Sequence, residues 1–213
     1  MNGFDYLGLK AELLVEGIQA TEEALKEVGK RHKEQNHGLF GWDFEDHVGR
    51  VLPDDFVLPA DEIKRYYDTG IRAIGFSMEI WDEKLYQGIC PGKSKEVTHA
   101  DFLDSIRMAV SIFGEGNVYG IFVMGLEPKK TFLEGVRQIT GLGANVVPFV
   151  WSPNPGSRLE GYRAPTGQWF VDTILEASEI VYNSRVPSGT ENHCYRCDGN
   201  SLLHDALRLR GIQ

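Results

Sequence analysis

The sequence predicts an α/β fold of parallel strands with outer helices. Three apolar stretches, residues 71–80, 118–124 and 145–150, have the composition of buried strands, and a helix-like stretch follows each of them. Such alternation is typical of parallel strands joined by right-handed crossovers. A closed barrel of this kind needs eight units, so we expect a partial barrel, half of a TIM-like one, or a small open sheet.

The chain divides into three predicted regions. Residues 1–59 form an N-terminal extension with a helical pattern over Leu7–Asn36 and short strands at Arg50–Leu52 and Phe56–Leu58. Residues 60–186 contain the strand–helix units, and residues 187–213 hold a CxxC sequence and a last helix. The elements expected after Pro59 are, in order, helix Asp61–Thr69, strand Ile71–Ile80, helix Thr98–Phe113, strand Val118–Met124, a helix from Pro128 to Leu142, strand Asn145–Val150, helix Thr166–Asn183 and helix Ser201–Arg210.

Local signals justify these elements. Gly70 is placed to stop the first helix and Thr98 to cap the second. Apolar side chains recur at helical spacing, which predicts one buried face on each long helix. The residues expected to point inward are Phe102, Ile106 and Val110, then Phe132, Val136 and Ile139, and then Phe170, Ile174, Ala177 and Val181.

Composition excludes several classes of partner. The chain of 213 residues has a net charge of −9 and no long basic run, so nucleic acid is not expected as a partner. No apolar run approaches the roughly 20 residues that span a membrane, and the N-terminus lacks the pattern of a signal peptide. Three cysteines argue against a secreted disulfide scaffold. We therefore expect a cytoplasmic protein without a membrane segment.

Polar residues follow each predicted strand. Ser77 and Glu79 end the first strand, Gly125 and Glu127 the second, and the third runs through Pro148, Phe149 and Val150 into a turn at residues 153–157. The carboxyl ends of parallel strands share one edge, where ligands bind. Two carboxylates there suit ribose hydroxyls or an ammonium group, and Gly125 lets a flat ring approach the backbone. The alternative is that Glu127 caps its own helix and Gly125 is only a turn.

Two cysteine-containing sequences suggest other chemistry. Cys194 and Cys197 form a CxxC pair that suits two ligands of a zinc or iron–sulfur site. Cys90, His99, His193 or His204 are candidates to complete it, and the alternative is a pair of reduced thiols in a loop. The run Cys90–Ser94 contains Gly-Lys-Ser but lacks the spacing of a P-loop. We expect an ordinary surface loop there, with solvated Lys93 and Lys95.

The order of motifs resembles a known family. GFSMEIWDEKLY, ICPGKS, IFVMGLEP and VVPFVWSPNPGSRL follow one another as in the C-terminal half of radical S-adenosylmethionine (SAM) enzymes, in the branch that includes biotin synthase. The resemblance covers residues 63–181. It implies that Ser77 and Glu79 hold the SAM ribose and that the backbone near residues 148–150 contacts the adenine. A GxIxGxxE-like motif beside the adenine is matched by Gly120, by Val123 at a shifted apolar position, and by Gly125 and Glu127.

The sequence departs from that family at the cluster. Radical SAM enzymes hold a [4Fe–4S] cluster with a CxxxCxxC loop, which does not occur in this sequence. We therefore do not expect radical chemistry, which belongs to the cofactor, and whether the chain is an enzyme stays open. The basic residue that often meets the SAM carboxylate is not obvious either, and His99 or Arg107 would have to serve.

Three hypotheses follow. The first is a protein that binds SAM or a related adenosine nucleotide at the strand edge, with non-radical SAM chemistry as an option. An open half-barrel exposes strand edges, so we expect a homo-oligomer or docking on a partner enzyme. The second is an accessory module without catalysis, and the third is a metalloprotein centred on Cys194 and Cys197.

Overall fold

A computed structural model describes residues 59–153, 157–188 and 201–211. The elements in these ranges are α1 (Ala60–Asp68), β1 (Ile74–Glu79), α2 (Glu83–Ile89), α3 (Lys93–Glu96), α4 (His99–Phe113), β2 (Val118–Met124), α5 (Lys129–Gly141), β3 (Asn145–Val150), α6 (Gly167–Ser184) and α7 (Leu203–Leu209). The helices and strands predicted before Pro59 lie outside the described residues, as do Cys194 and Cys197.

The strands form one parallel sheet in the order β1-β2-β3. In one row across the sheet, Phe76 lies beside Gly120, which lies beside Val146. The sheet is open in the described residues, and the α/β class predicted from the alternation is confirmed. The bounds of β2 and β3 agree with those predicted. The first strand was expected from Ile71 but begins at Ile74, because a turn at Gly70 precedes it and Ile71 is 41% exposed.

The main core lies between the sheet and the long helices. Gly120 has no side chain, and an added Cβ there would lie 3.1 Å from side-chain atoms of Ile139, so α5 packs directly on β2. Phe122 and Phe132 meet edge to face nearby, with ring centroids 6.0 Å apart. Every residue predicted to point inward from α4, α5 and α6 is buried except Val110, which is partly buried.

Thr98 begins α4 as the sequence predicts. Its hydroxyl accepts from the Asp101 amide at 3.2 Å, and the Asp101 carboxylate accepts from the Thr98 amide at 2.8 Å. This reciprocal capping box satisfies two backbone donors that the first turn leaves unpaired. α1 packs on α4, where Tyr67 meets Phe113 edge to face at 5.2 Å between ring centroids.

The segment between β1 and α4 differs from the prediction. The run Cys90–Ser94 within it was expected to be a surface loop, but α3 begins there at Lys93, and α2 precedes it. Asp82 begins α2 by accepting from the amides of Lys84 and Leu85, both at 3.0 Å. Such short helices carry too few residues for a clear 3.6-residue period. Within the three described ranges, none of the helices is long and apolar enough to cross a lipid bilayer.

Candidate functional site

The C-terminal end of β1 turns sharply at Glu79. The Ile80 amide donates to the Met78 carbonyl at 2.9 Å, and Glu79 between them has a φ of 66°. A three-residue turn with a positive φ at its centre is a rare, strained γ-turn. A non-glycine residue in such a conformation costs about 1–3 kcal/mol. The pairing of β1 with β2 is also irregular here, between Ser77 and Glu79.

Lys93 closes over this turn. Its Nζ lies 3.0 Å from Oε1 of Glu79 and also donates to the Ser77 carbonyl. The same ammonium group lies 5.4 Å from the centroid of the Phe102 ring. The Lys93 side chain is only 9% exposed, whereas that of Glu79 is 29% exposed. The expectation that Lys93 is a solvated loop residue is therefore wrong, because α3 turns it toward the end of β1.

Lys93 is the site residue that the sequence reasoning missed. The available signal was its position in a Cys-Pro-Gly-Lys-Ser run soon after a strand-end carboxylate. His99 and Arg107, the basic residues proposed from the family resemblance, lie elsewhere. Arg107 pairs with Asp104 on the exposed surface of α4, and the ring of His99 is buried against the segment after β1.

Two further titratable groups lie beside the Glu79–Lys93 pair. Burial, with the nearby charges of Cys90 and Glu79, raises the pKa of Tyr86 to about 12, and its hydroxyl donates to the Val97 carbonyl at 3.3 Å. Burial also raises the pKa of the Cys90 thiol, with Glu79 adding to the effect and Lys93 opposing it. Both side chains are therefore neutral at pH 7, and neither is an activated nucleophile.

The end of β2 is packed rather than open. Gly125 has a φ of 111°, and a Cβ added to it would lie 2.7 Å from Cζ of Phe170. The ring beside Gly125 is that of Phe170 in α6 of the same chain, whereas the sequence suggested the ring of a ligand. Gly125 as a ligand contact stays a prediction, and its backbone is the part left for that role.

Glu127 is 5% exposed and reaches back to the segment after β1. Its Oε1 accepts from the Trp81 amide at 2.8 Å, and its Oε2 accepts from the Asp82 amide at 2.9 Å. Burial raises the pKa of the Glu127 carboxyl, although the two amide hydrogen bonds oppose that shift. Neither sequence interpretation anticipated these bonds to another strand's loop. A ligand contact at Glu127 stays a prediction.

The end of β3 offers one side chain to the open face. Alternation along the strand places Pro148 and Val150 on the buried, helix-covered face and leaves Phe149 half-buried on the other. Ser201 pairs with Phe149 as an isolated antiparallel bridge, and the Trp151 amide donates to the Met124 carbonyl at 2.9 Å. Backbone contact with an adenine at this strand end stays a prediction.

The sheet face opposite the helices carries a half-buried apolar strip next to Ser77. Ser77 is exposed and pairs with Ile121 of β2, while Val123 pairs with Phe149 of β3. The three apolar residues are each partly accessible on this face. The sheet therefore joins an apolar surface to a hydroxyl, a carboxylate and an ammonium group at one edge. This combination can accept a ligand that has a flat ring and several hydroxyl groups.

The predicted metal ligands Cys194 and Cys197 are not among the described residues. In the ranges that the structure does describe, no group of three or more histidine, cysteine, aspartate or glutamate side chains could hold a metal ion. His99, a candidate to complete the site, already uses its Nε2 in a 2.9 Å bond to the Ile80 carbonyl.

Comparison with known proteins shows a similarity to a bacterial hydroxylase. The chain is 33% identical over 130 residues to the bacteriochlorophyllide c C-7(1)-hydroxylase of Chlorobaculum limnaeum. The match covers 61% of this chain and 30% of the hydroxylase, so the chain accounts for less than a third of that protein's length. No family model and no solved structure matches the chain.

Proposed function

We propose that this chain is related to radical SAM enzymes and binds SAM or a related adenosine nucleotide at the C-terminal edge of its sheet. The observation that carries the proposal is the strained turn at Glu79, which holds a partly exposed carboxylate beside exposed Ser77. Strain of this kind persists only where the surrounding structure enforces it, and it concentrates at binding sites.

The residues at this edge fit such a ligand chemically. Glu79 accepts hydrogen bonds from the ribose diol, and the Ser77 hydroxyl adds a donor or an acceptor. Lys93 places a positive charge next to them, which suits the carboxylate of an amino-acid moiety. The half-buried side chains of Val123 and Phe149 provide an apolar surface for the purine. Bound SAM would supply an activated methyl or adenosyl group.

The similarity to a hydroxylase supports this family assignment. Hydroxylation at carbon replaces a C–H bond, and cleaving such bonds is the kind of hard chemistry that radical cofactors supply to enzymes. The order of strand-end motifs in this chain supports the same assignment independently. Catalysis and substrate are not assigned, since the match covers only 30% of the hydroxylase.

Titration calorimetry on the purified chain tests the proposal. We expect heat with SAM, S-adenosylhomocysteine or methylthioadenosine, and a dissociation constant about tenfold or more higher in Glu79→Gln, because a hydrogen bond to a charged group contributes about 1.5–3 kcal/mol. Glu176→Gln is the matched control: it removes a carboxylate from another lysine–glutamate pair, with Lys129, on the surface of α5 and α6. Absence of heat with all three ligands would refute the proposal.

The remaining expectations stay proposals with their own tests. For the CxxC pair, metal analysis after anaerobic purification distinguishes zinc at Cys194 and Cys197 from iron with sulfide. For partners, we infer a homo-oligomer or docking on a partner enzyme, because β1 lies at the edge of the described sheet. Sedimentation of the purified chain checks this, and a monodisperse monomer that captures no partner would contradict it.

A further inference from the structure

Groups from three other elements hold the segment that follows Glu79. The carboxylate of Glu127, beyond β2, accepts from the amides of Trp81 and Asp82. The ring of His99, at the start of α4, donates from Nε2 to the Ile80 carbonyl at 2.9 Å. The Trp81 side chain lies between that ring, at 5.4 Å between centroids, and Gly135 of α5. Residues 80–82 are thus fixed on both their backbone and their side chains.

Glycine at position 135 is part of this arrangement. A Cβ added there would lie 3.0 Å from Cβ, Cγ and Cδ2 of Trp81, closer than ordinary packing allows. The indole therefore occupies a niche that exists only because α5 has no side chain at this point. This contact locates Trp81, and through it the peptide group that Glu127 binds.

The Glu127 carboxylate is committed to this task. Each of its oxygens accepts a hydrogen bond from a backbone amide, and the residue is 5% exposed. A ligand hydroxyl would have to displace one of these amides and leave a buried donor unpaired, which is unfavourable. By contrast, the ion pair of Glu79 with Lys93 uses Oε1, and the Glu79 side chain is 29% exposed.

We propose that Glu127 is a positioning residue: by holding the amides of Trp81 and Asp82, it keeps Glu79 in its left-handed turn and directs that carboxylate to the ligand. The effect on binding rests on the proposed function, whereas the effect on the turn does not. A strained γ-turn relaxes when the groups that enforce it are removed. Glu127 therefore acts on the ligand through the backbone of another strand's loop, without touching it.

Nuclear magnetic resonance on the full chain tests the positioning role without any ligand. In Glu127→Gln we expect the amide proton of Trp81 or of Asp82, or of both, to exchange about tenfold or more faster, since one of the two acceptor oxygens becomes an NH2 donor. The backbone coupling constant of Glu79, which depends on φ, should change to a value that indicates a negative φ. Glu176→Gln is the matched control, because it removes the same charge from an exposed pair with Lys129 that includes neither residues 80–82 nor His99.

Wild-type protein provides a second measurement in case the variant fails to fold. The amide shifts of Trp81 and Asp82 should titrate together with the carboxyl carbon of Glu127. Independent behaviour of these signals, or unchanged exchange in folded Glu127→Gln, would overturn the proposal.

Calorimetry then separates this inference from the nucleotide proposal. A weaker SAM complex in Glu127→Gln, by about tenfold, together with faster exchange supports both. If exchange is faster in Glu127→Gln but the wild-type protein binds no nucleotide, the positioning of the turn is supported and nucleotide binding is refuted. Unchanged SAM affinity despite a relaxed turn overturns the claim that Glu127 directs Glu79 to the ligand.

Discussion

The ends of β1 and β2 look alike in sequence but differ in the structure. A small residue, an apolar residue and a glutamate close β1, as Ser77-Met78-Glu79, and directly follow β2, as Gly125-Leu126-Glu127. Glu79 is partly exposed beside Lys93, on a strained turn. Glu127 is buried, and both of its oxygens are bound by amides. The two carboxylates thus stand at one edge of the sheet with different tasks.

The difference teaches that the environment decides what a strand-end carboxylate does. Glu79 gains a lysine partner and keeps contact with water, which suits exchange with a ligand. Glu127 faces backbone donors in a buried corner, where an unpaired donor is costly, which suits permanent structure. Four changes, taken from the largest expected effect to the smallest, test this contrast.

Glu127→Ala should have the largest effect on stability. It leaves the buried amides of Trp81 and Asp82 without their acceptor, and we expect a loss of about 4 kcal/mol in the free energy of unfolding. Glu79→Ala should cost far less, because its side chain is partly solvated. Urea denaturation of both variants measures the difference. Equal losses would show that the two carboxylates are equally structural.

Gly125→Ala should cost about 3 kcal/mol, from a strained positive φ and from overlap with the Phe170 ring. Gly70→Ala is the matched control: its φ of 101° is similar, and no atom lies within 4 Å of an added Cβ. The control should lose only about 1–2 kcal/mol from backbone strain. Thermal unfolding of the pair isolates the packing contribution, and equal losses would argue against contact with Phe170.

Stability should depend on pH through Glu127 with an unusual sign. The raised pKa of its carboxyl means that, as pH rises above the ordinary 4.5, the unfolded chain loses this proton before the folded chain does. The free energy of unfolding therefore falls through this window, by at most about 1.4 kcal/mol per pH unit.

The Glu127→Gln variant should lack this slope, which unfolding curves at several pH values measure. Asp101 provides a contribution of opposite sign. A hydrogen bond from the Thr98 side chain, followed by one from its backbone, lowers the pKa of Asp101, so its stabilising effect is lost as pH falls below 3.8. A slope that survives in Glu127→Gln would assign it to another group.

Glu79→Gly should change stability least, by less than about 1 kcal/mol, because relief of the left-handed strain offsets the added entropy of the unfolded chain. Arg185→Gly is the control, since Arg185 has a φ of 59° at the exposed end of α6. Urea denaturation compares the two variants. The amount by which Glu79→Gly lowers the free energy of unfolding more than Arg185→Gly does gives the contribution of the Glu79–Lys93 ion pair. Nucleotide binding should be lost only at Glu79, and retention there would contradict its role.

Local sequence signals predicted the regular elements well. β2 and β3 were predicted with their observed bounds, and Thr98 begins α4 with the expected cap. These features depend on neighbouring residues alone, through apolar runs and capping chemistry. The α/β class followed from them because alternating strands and helices have few compact arrangements.

Local sequence signals could not predict the contacts that define the candidate site. Lys93 reaches Glu79 from a four-residue helix, and Phe170 enters the space beside Gly125 from a distant part of the chain. Glu127 was correctly placed at a strand end, but its partners lie across the sheet. Each of these depends on tertiary packing, which overrides local preference and leaves no periodic trace in the sequence.

The bond between Glu127 and Trp81 joins residues 46 positions apart. During synthesis, the turn at Glu79 therefore leaves the ribosome well before the group that fixes it. Closing so long a loop costs chain entropy that only β2 pairing and helix packing offset. The corner at the end of β1 therefore acquires its final contacts only after β2 and Glu127 have been made, although it belongs to the first strand of the described sheet.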